Sequence, residues 1–244
     1  MPTNAIGFIF NQRWTLTVTS LLNRRQGRLT HLQNIVAVHG NAGHIGYRVA
    51  KFAGLRAAGF GLFLSSYRGY GGNPGRPTEE GLIADGRSVL SWLEAAGVAA
   101  GRTVLYGESL GAGVAVALAE KTLVGALVLE APPSSIAEVA QAHYWYVPAK
   151  WLIWDKWNSL ARIGAVEAPI LLIHGARDRV VPQRFGRKLF EAANEPKEAL
   201  FPEKADHLNL LDDLRIVQRM VTFIQESAKT KGPKTPDLCQ TSAP

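Results

Sequence analysis

Residues 103–119 read TVLYGESLGAGVAVALA, and this stretch decides the fold. Its first part, Thr103–Tyr106, has the apolar character of a buried strand, and the small residues after Leu110 favour a closely packed helix. Between them, Gly107-Glu-Ser-Leu-Gly111 fits a tight strand-to-helix turn, in which the flanking glycines relieve the strain on Ser109. Such a turn exposes the Ser109 hydroxyl above the sheet, so Ser109 is a candidate nucleophile.

The rest of the chain repeats this alternation of strand and helix. The predicted strands are Ile35–Val38, Gly61–Ser65, Thr103–Tyr106, Ala126–Leu129, Ile170–Ile173 and a last one around Ala199–Phe201. The predicted helices are Tyr47–Ala58, Thr78–Ala96, Leu110–Lys121 and Phe185–Ala193. Nearly continuous apolar strands are typical of parallel strands that are buried on both faces. The sequence therefore predicts an α/β fold, with a mainly parallel sheet and helices on both faces.

A serine hydroxyl is a weak nucleophile at neutral pH and needs a base that a third group orients. Asp178 and His207 suit these roles, because each lies in a loop after a predicted strand, where the sites of parallel sheets assemble. Their order along the chain, serine then acid then histidine, is the order that accompanies this type of turn. We therefore predict that Ser109, Asp178 and His207 are the catalytic residues.

Other acids and histidines fit these roles less well. Glu130, directly after the strand Ala126–Leu129, is an alternative acid, whereas Asp206 is adjacent to His207 and would point away from it. The strand-end histidines His39 and His174 are each followed by glycine, and we expect them to brace loops by hydrogen bonding. Three further histidines have no acid partner at a useful place in the order: His31, His44 and His143.

An oxyanion hole needs two backbone N–H donors. Leu110 offers one, because it begins a helix directly after Ser109. The segment His39-Gly-Asn-Ala-Gly43 follows a predicted strand and can supply the second. We predict that this donor is Asn41, since Gly40 lets the chain turn tightly over the site.

Taken together, five ordered motifs resemble the bud-emergence-type (Bem-like) branch of the α/β-hydrolase superfamily. They are the His39-Gly-Asn-Ala-Gly segment, Tyr67-Arg-Gly-Tyr-Gly-Gly72, the turn at Ser109, His174-Gly-Ala-Arg-Asp178 and the His207 loop. The resemblance covers residues 34–212 and implies an α/β-hydrolase fold and a serine hydrolase with a Ser109–Asp178–His207 triad and an Asn41/Leu110 oxyanion hole. The Tyr67–Gly72 motif is interpreted as a structural loop in which Arg68 pairs with Asp85.

The predicted hydrolase domain spans residues 31–227. Residues 1–30 precede it, and Phe8–Phe10 and Trp14–Val18 there have the pattern of antiparallel edge strands, although members of this branch usually show more strands at this point. Residues 134–160 form a predicted helical cap, and residues 228–244 a predicted disordered tail.

The cap holds four of the six tryptophans. One interpretation is that they pack a helical excursion onto the body of the protein. The other is that Trp145, Trp151 and Trp154 line a substrate pocket for an apolar acyl group. The two interpretations are compatible.

Composition limits the remaining function classes. A lone cysteine, Cys239, excludes an internal disulfide framework and a multi-cysteine metal site. The formal net charge is +7, but the basic residues are scattered, so no nucleic-acid partner is expected. No metal or other cofactor is expected. The N-terminal segment lacks a continuous apolar run, which favours a cytoplasmic protein. The sequence decides neither the oligomeric state nor contact with a membrane surface.

The predicted reaction is cleavage of a carboxylic ester or thioester through an acyl-enzyme on Ser109, with a small-molecule ester or acyl compound as the substrate. Hydrolysis of an amide or small peptide by the same triad is the alternative. A non-catalytic binding protein with this fold is a third hypothesis, but such scaffolds usually lose one of the three residues. A dehalogenase would be expected to carry aspartate at position 109.

Overall fold

A computed structural model describes residues 6–11, 14–21, 34–42 and 45–230. The predictions that concern His31, His44, Cys239 and residues 231–244 lie outside this range. Within it, no helix combines the length and the apolar character needed to cross a membrane.

Eight strands form one sheet in the order β1-β2-β4-β3-β5-β6-β7-β8. Six of them, from β3 to β8, run parallel to one another. The strands are β1 Ile6–Asn11, β2 Trp14–Leu21, β3 Asn34–Val38, β4 Gly61–Ser65, β5 Thr103–Glu108, β6 Ala126–Glu130, β7 Ile170–Ile173 and β8 Lys197–Leu200.

The N-terminal segment forms the antiparallel edge of this sheet. Strands β1 and β2 pair antiparallel, and β2 pairs antiparallel with β4. These strands cover the segment in which the sequence predicts two edge strands. Only residues 22–33 separate β2 from β3, and they lie outside the described range.

Eight α-helices accompany the strands in the described part of the chain. They are α1 Ala53–Ala57, α2 Glu79–Ala95, α3 Leu110–Ala119, α4 Ile136–His143, α5 Ala149–Leu152, α6 Ser159–Ile163, α7 Gln183–Ala192 and α8 Leu214–Thr230. Apolar side chains of α2, α3, α6 and α7 pack on one face of the sheet, and those of α1 and α8 on the other. The prediction of a mainly parallel sheet with helices on both faces is confirmed.

Three boundaries differ from those expected from the sequence. Instead of one helix over Tyr47–Ala58, a short 3-10 helix, Ile45–Arg48, is followed by turns and then by α1. From this interrupted segment the Arg48 and Lys51 side chains reach two buried carboxylates. The last strand begins at Lys197 rather than Ala199. The tail predicted from residue 228 is helical to Thr230, since Ala228 and Lys229 favour helix and a lysine suits a helix C-terminus.

The Tyr67–Gly72 motif is a loop after β4, as predicted. The Arg68 guanidinium donates to Asp85 of α2 at 2.6 Å, and the Arg68 backbone N–H donates to the same carboxylate at 3.0 Å. This confirms the predicted ion pair, which fixes the loop beside the carboxyl ends of the parallel strands.

Candidate active site

Ser109 lies at the junction of β5 and α3 in a strained backbone conformation, with φ 52° and ψ −114°. Positive φ is costly for a residue with a side chain, so the surrounding contacts must hold it. The Ser109 N–H donates to the Glu130 carbonyl oxygen at 2.8 Å. The two motif glycines leave the necessary space: a Cβ on Gly107 would lie 2.5 Å from the Ala112 Cα, and one on Gly111 would lie 2.7 Å from the His39 carbonyl oxygen.

His207 bridges the predicted nucleophile and the predicted acid. Its Nε2 lies 3.1 Å from the Ser109 Oγ, and its Nδ1 lies 2.7 Å from an Asp178 carboxylate oxygen. The imidazole is mostly enclosed, with 12% of its side chain exposed, and the Asp178 side chain is fully buried. The structure thus brings together three residues that are separated by 69 and 29 positions along the chain.

The Asp178 carboxylate is held on both of its oxygens. One oxygen accepts the backbone N–H groups of Val180 and Val181 at 2.9 and 2.8 Å, and the other faces His207. Burial opposes ionisation of this group, but the hydrogen bonds from His174, His207 and Val181 outweigh it and hold the pKa of Asp178 well below its ordinary value. The acid therefore remains an oriented anion beside the imidazole.

The two strand-end histidines contact the loops that carry these residues. His174 is buried. Its Nε2 lies 2.7 Å from the Val181 carbonyl oxygen and 3.3 Å from the Asp178 carboxylate. His39 bonds through Nδ1 to the Gly40 carbonyl oxygen at 2.7 Å and packs against the ring of Tyr67. Both contacts are of the loop-bracing kind that the sequence predicts.

The segment after β3 lies directly over the turn at Ser109. A Cβ on Gly40 would lie 3.2 Å from the Ser109 Cβ, so only a glycine allows this approach without displacement. The next residue, Asn41, accepts a hydrogen bond on its side-chain oxygen from the Tyr70 hydroxyl at 2.5 Å. Leu110 is the first residue of α3, where a backbone N–H has no partner within the helix. Asn41 and Leu110 therefore flank Ser109 from two sides, and their role as oxyanion donors stays a prediction.

Four charged side chains beneath the turn form what we call the buried charge cluster: Arg48, Lys51, Glu108 and Glu130. The sequence analysis did not predict this cluster. Glu108 and Glu130 are directly opposite each other on the parallel strands β5 and β6. The Lys51 ammonium lies 2.9 Å from Glu108 and 2.6 Å from Glu130, and the Arg48 guanidinium lies 2.7 Å from Glu108. The cluster contains two cations and two anions, and a signal for it was present in the strand-end position of both glutamates.

Burial and pairing act against each other in this cluster. Burial alone would raise the pKa of Glu108, but hydrogen bonds and attraction from Arg48 and Lys51 lower it to about 2. Burial raises the pKa of Glu130, although the attraction of Lys51 opposes the change. Burial lowers the pKa of Lys51, yet the two carboxylates outweigh it and raise the pKa overall. Lys51 is therefore a fixed cation between two buried carboxylates.

The alternative acids have other partners. The Glu130 side chain is engaged by Lys51, while His207 faces Asp178. Asp206 accepts the backbone N–H groups of Leu208 and Asn209, so its carboxylate organises its own loop. Within the described ranges, histidine, cysteine and acidic side chains do not form a group of three that could hold a metal ion.

The cap tryptophans divide into one buried and three exposed side chains. Trp157 is only 4% exposed and packs against Gly113 of α3, which fits the interpretation of local packing. Trp145, Trp151 and Trp154 are exposed on the surface. The prediction that they line an acyl pocket stays a prediction.

A groove of about 650 Å³ lies next to the site, between the segment after β3 and the start of α8. It adjoins the site because it is lined by Ala42, Glu108 and Leu208, the immediate neighbours of Asn41, Ser109 and His207. Leu211, Leu214 and Val217 add apolar surface. The groove also has charged side chains in its lining, so apolar and charged surface meet there: Arg48, Lys51, Glu108 and Asp212.

Comparison with known proteins identifies relatives of this chain. The model of the family described as serine aminopeptidase, S33, matches residues 30–161. The protein Rv2307c of Mycobacterium tuberculosis is 40% identical over 197 residues, which cover 80% of this chain and 70% of that protein. The lysophosphatidylserine lipase ABHD12 of Danio rerio is 31% identical over 183 residues, which cover 67% of this chain and 48% of the lipase.

Solved structures share the architecture. The esterase Est1E from Butyrivibrio proteoclasticus, with ferulic acid bound, has a TM-score of 0.75 at 16% identity, with 91% of this chain and 99% of that chain covered. The α/β hydrolase GrgF from a Penicillium species has a TM-score of 0.74 at 16% identity, with coverages of 92% and 99%. At this level of identity the likeness concerns the fold alone, and it confirms the predicted α/β-hydrolase fold.

Proposed function

The chain belongs to the hydrolase family described as serine aminopeptidase, S33, and on that premise we propose that it cleaves a carboxylic ester or thioester through an acyl-enzyme on Ser109. The observation that carries this proposal is the continuous hydrogen-bonded path from Asp178 through His207 to Ser109. His207 stands within hydrogen-bonding distance of both Ser109 and Asp178, which is the geometry that acyl transfer requires.

The proposed reaction begins when the Ser109 Oγ attacks the acyl carbon and its proton passes to the His207 Nε2. Asp178 stabilises the resulting imidazolium. The backbone N–H groups of Asn41 and Leu110 would donate to the oxyanion of the tetrahedral intermediate. His207 then gives the proton to the departing alcohol or thiol, and an acyl-enzyme remains. Water attacks that ester with His207 as the base, releasing the acid and restoring Ser109.

The pairing of the buried carboxylates next to Ser109 favours an ester as the substrate over a peptide with a free N-terminal amine. An aminopeptidase must bind the ammonium group of a peptide N-terminus, for which a free carboxylate is the usual partner. Glu108 and Glu130 are neutralised by Arg48 and Lys51, and Asp178 faces His207. None of these three carboxylates is offered to an incoming ammonium group. Amide or small-peptide hydrolysis by the same triad is the second candidate, and the family's description as aminopeptidase favours it.

The apolar groove beside His207 supports an apolar acyl group. Its leucines at positions 208, 211 and 214 form apolar surface next to the loop that carries His207, and we propose that one side of a bound ester lies against them. One relative is a lysophosphatidylserine lipase, and a solved structure of the same fold is an esterase, which agrees with this chemistry. The five motifs also support placement in the Bem-like branch, as the finer part of this proposal.

A fluorophosphonate probe tests the nucleophile. We expect labelling at Ser109, and we expect Ser109→Ala to remove both labelling and hydrolysis of short p-nitrophenyl esters, with kcat falling by about 10⁴- to 10⁶-fold. Ser91→Ala, at an exposed serine of α2, is the matched control and should retain full labelling. Labelling that survives in Ser109→Ala would refute the assignment.

Two substrate series separate the ester and amide candidates. An ester series of rising acyl length should show kcat/KM increasing with chain length, because the groove removes apolar surface from water. Aminoacyl p-nitroanilides should be hydrolysed far more slowly than esters of the same acid. A kcat/KM that does not change with acyl length contradicts the groove as the acyl site. Efficient cleavage of the anilides would make amide hydrolysis the preferred reaction over ester hydrolysis.

A further inference from the structure

The segment between α4 and the end of the cap presents an unusual density of exposed aromatic side chains. Trp154 is 95% exposed, Trp145 80% and Trp151 74%. Neighbouring side chains are exposed as well, and together they form what we call the aromatic surface: Tyr144, Trp145, Tyr146, Trp151, Leu152 and Trp154. Large apolar side chains exposed as a contiguous group mark interaction sites in soluble proteins.

The charges around the aromatic surface have one sign. Residues 139–154 contain no aspartate or glutamate, whereas Lys150 lies with its ammonium 5.4 Å from the centre of the Trp151 ring. Lys156 is also exposed. Asp155 follows Trp154 but accepts the Glu79 backbone N–H at 3.1 Å, so its charge is used within the protein. The outward charge is positive, which selects an anionic partner.

The residue types select the kind of anionic partner. Tryptophan and tyrosine combine an apolar ring with a polar N–H or O–H, and they concentrate where hydrocarbon meets water. Lysine beside such rings adds attraction to anionic lipid headgroups. A protein partner with an acidic surface would use the lysines but would gain little from three exposed tryptophans.

The aromatic surface is attached to the loop that carries Asp178. The His143 Nε2 at the end of α4 lies 2.8 Å from the Val180 carbonyl oxygen, and the Val180 N–H donates to Asp178. Val139 of α4 packs against Val181 and Phe185. The helix that leads into the aromatic surface therefore contacts the loop that carries Asp178.

We propose that the aromatic surface docks the protein onto anionic lipid bilayers, with Trp145, Trp151 and Trp154 inserted at the level of the headgroups and Lys150 facing anionic lipids. In this position the protein is peripheral, and the candidate active site stands close to the lipid surface. The docking does not depend on the proposed hydrolase function.

Vesicle sedimentation tests the proposal in the full chain that carries Ser109→Ala, so that the lipids cannot be consumed by the proposed hydrolysis. We expect binding to vesicles of phosphatidylcholine and phosphatidylglycerol, weaker binding to phosphatidylcholine alone, and loss of the difference at high salt. Lipids brominated along their acyl chains should quench the tryptophan fluorescence. Absence of binding to both kinds of vesicle would overturn the proposal and point to a protein partner.

Substitutions locate the contact. Trp145→Ala, Trp151→Ala and Trp154→Ala combined should weaken binding by at least ten-fold, and Lys150→Glu should remove the preference for the anionic vesicles. Leu123→Ala is the matched control. Leu123 is exposed, but it precedes β6 and so lies at the amino ends of the parallel strands, whereas the cap follows the carboxyl end of β6. Circular dichroism checks that each variant is folded. Full binding by the folded triple variant overturns the proposal, whereas failure of the hydrolase assays leaves these measurements unaffected.

Discussion

Replacing Lys51 by methionine tests the buried charge cluster, because the change keeps most of the side-chain volume and removes the cation that Glu108 and Glu130 share. Glu108 keeps its contact with Arg48 at 2.7 Å. Glu130 is completely buried, and its ion-pair partner within the described residues is Lys51. The variant therefore leaves one buried carboxylate without a compensating charge.

The size of the effect follows from the burial of this carboxylate. Removing one partner of a buried ion pair costs about 3–5 kcal/mol, because the remaining charge is left uncompensated. For a chain of this size each kcal/mol lowers Tm by about 2–4 °C, so we expect Tm to fall by roughly 6–20 °C at pH 8. Differential scanning calorimetry or circular dichroism gives the value directly.

The pH dependence separates an electrostatic cause from lost packing. Burial raises the pKa of Glu130, and loss of the attraction to Lys51 raises it further. An acid with a folded pKa above its unfolded value takes up a proton on folding, so its destabilising effect is lost as the pH falls through the folded pKa. The deficit of Lys51→Met should therefore be smaller at about pH 5 than at about pH 8. Glu108 has a pKa of about 2 in the parent protein, and in the variant it keeps the ion pair with Arg48 that Glu130 lacks, so the pH dependence should come mainly from Glu130.

Two further variants complete the test. The double variant Lys51→Met, Glu130→Gln removes both charges of the pair and should recover much of the lost stability. Lys121→Met is the matched surface control: this lysine is 69% exposed, 3.2 Å from Glu120, and its loss should change stability by less than about 1 kcal/mol. A deficit of Lys51→Met that is independent of pH, or that the double variant leaves unchanged, would refute the electrostatic reasoning.

Two other substitutions probe the turn and the acid. Gly111→Ala should destabilise the protein by about 1–3 kcal/mol, because its methyl group meets backbone atoms of the segment after β3; Gly101→Ala, with open space around the added methyl group, should be close to neutral in the same thermal melts. Asp178→Asn should lower kcat by roughly 10⁴-fold with little change in KM, since an amide no longer holds His207 in the required tautomer. The low pKa of Asp178 stabilises the folded protein at pH values above the unfolded pKa of this group, and this stabilisation is lost as the pH falls. The variant lacks it, so the decrease of Tm with falling pH should be smaller in the variant than in the parent. Unchanged turnover in Asp178→Asn would exclude it as the orienting acid.

The turn at Ser109 could be predicted from sequence because its requirements are local. A serine with positive φ between a strand and a helix needs small residues close to it, and Gly107 and Gly111 each lie two positions from Ser109 in the chain. The positions of Asp178 and His207 could be predicted for a related reason. In a parallel sheet every strand ends at the same edge, so a loop acid and a loop histidine after different strands converge without any detailed model of packing.

The buried charge cluster could not be predicted in this way, because it depends on the register of β5 against β6 and on a break in a predicted helix. The periodic pattern of residues 47–58 suits a continuous helix, whereas Arg48 ends a 3-10 helix and Lys51 lies in the turn before α1, and both reach the glutamates from there. Helix α8 was missed for a different reason. Its signal is a helical spacing of apolar positions, and these side chains are buried in the structure: Ile216, Val217, Met220, Phe223 and Ile224.

The same cluster explains how the strained conformation of Ser109 is maintained. Glu108 precedes Ser109 in the chain, and the backbone carbonyl group of Glu130 accepts the Ser109 N–H. Lys51 forms ion pairs with the side-chain carboxylates of these same two glutamates. Lys51 and Arg48 come from the segment that follows the predicted oxyanion loop. One set of ion pairs thus fixes the turn and that segment relative to each other, and a buried, low-dielectric site strengthens it. This connection predicts that damage to the cluster lowers the labelling rate of Ser109 as well as the stability, although no member of the cluster transfers a proton or forms a bond to the substrate in the proposed reaction.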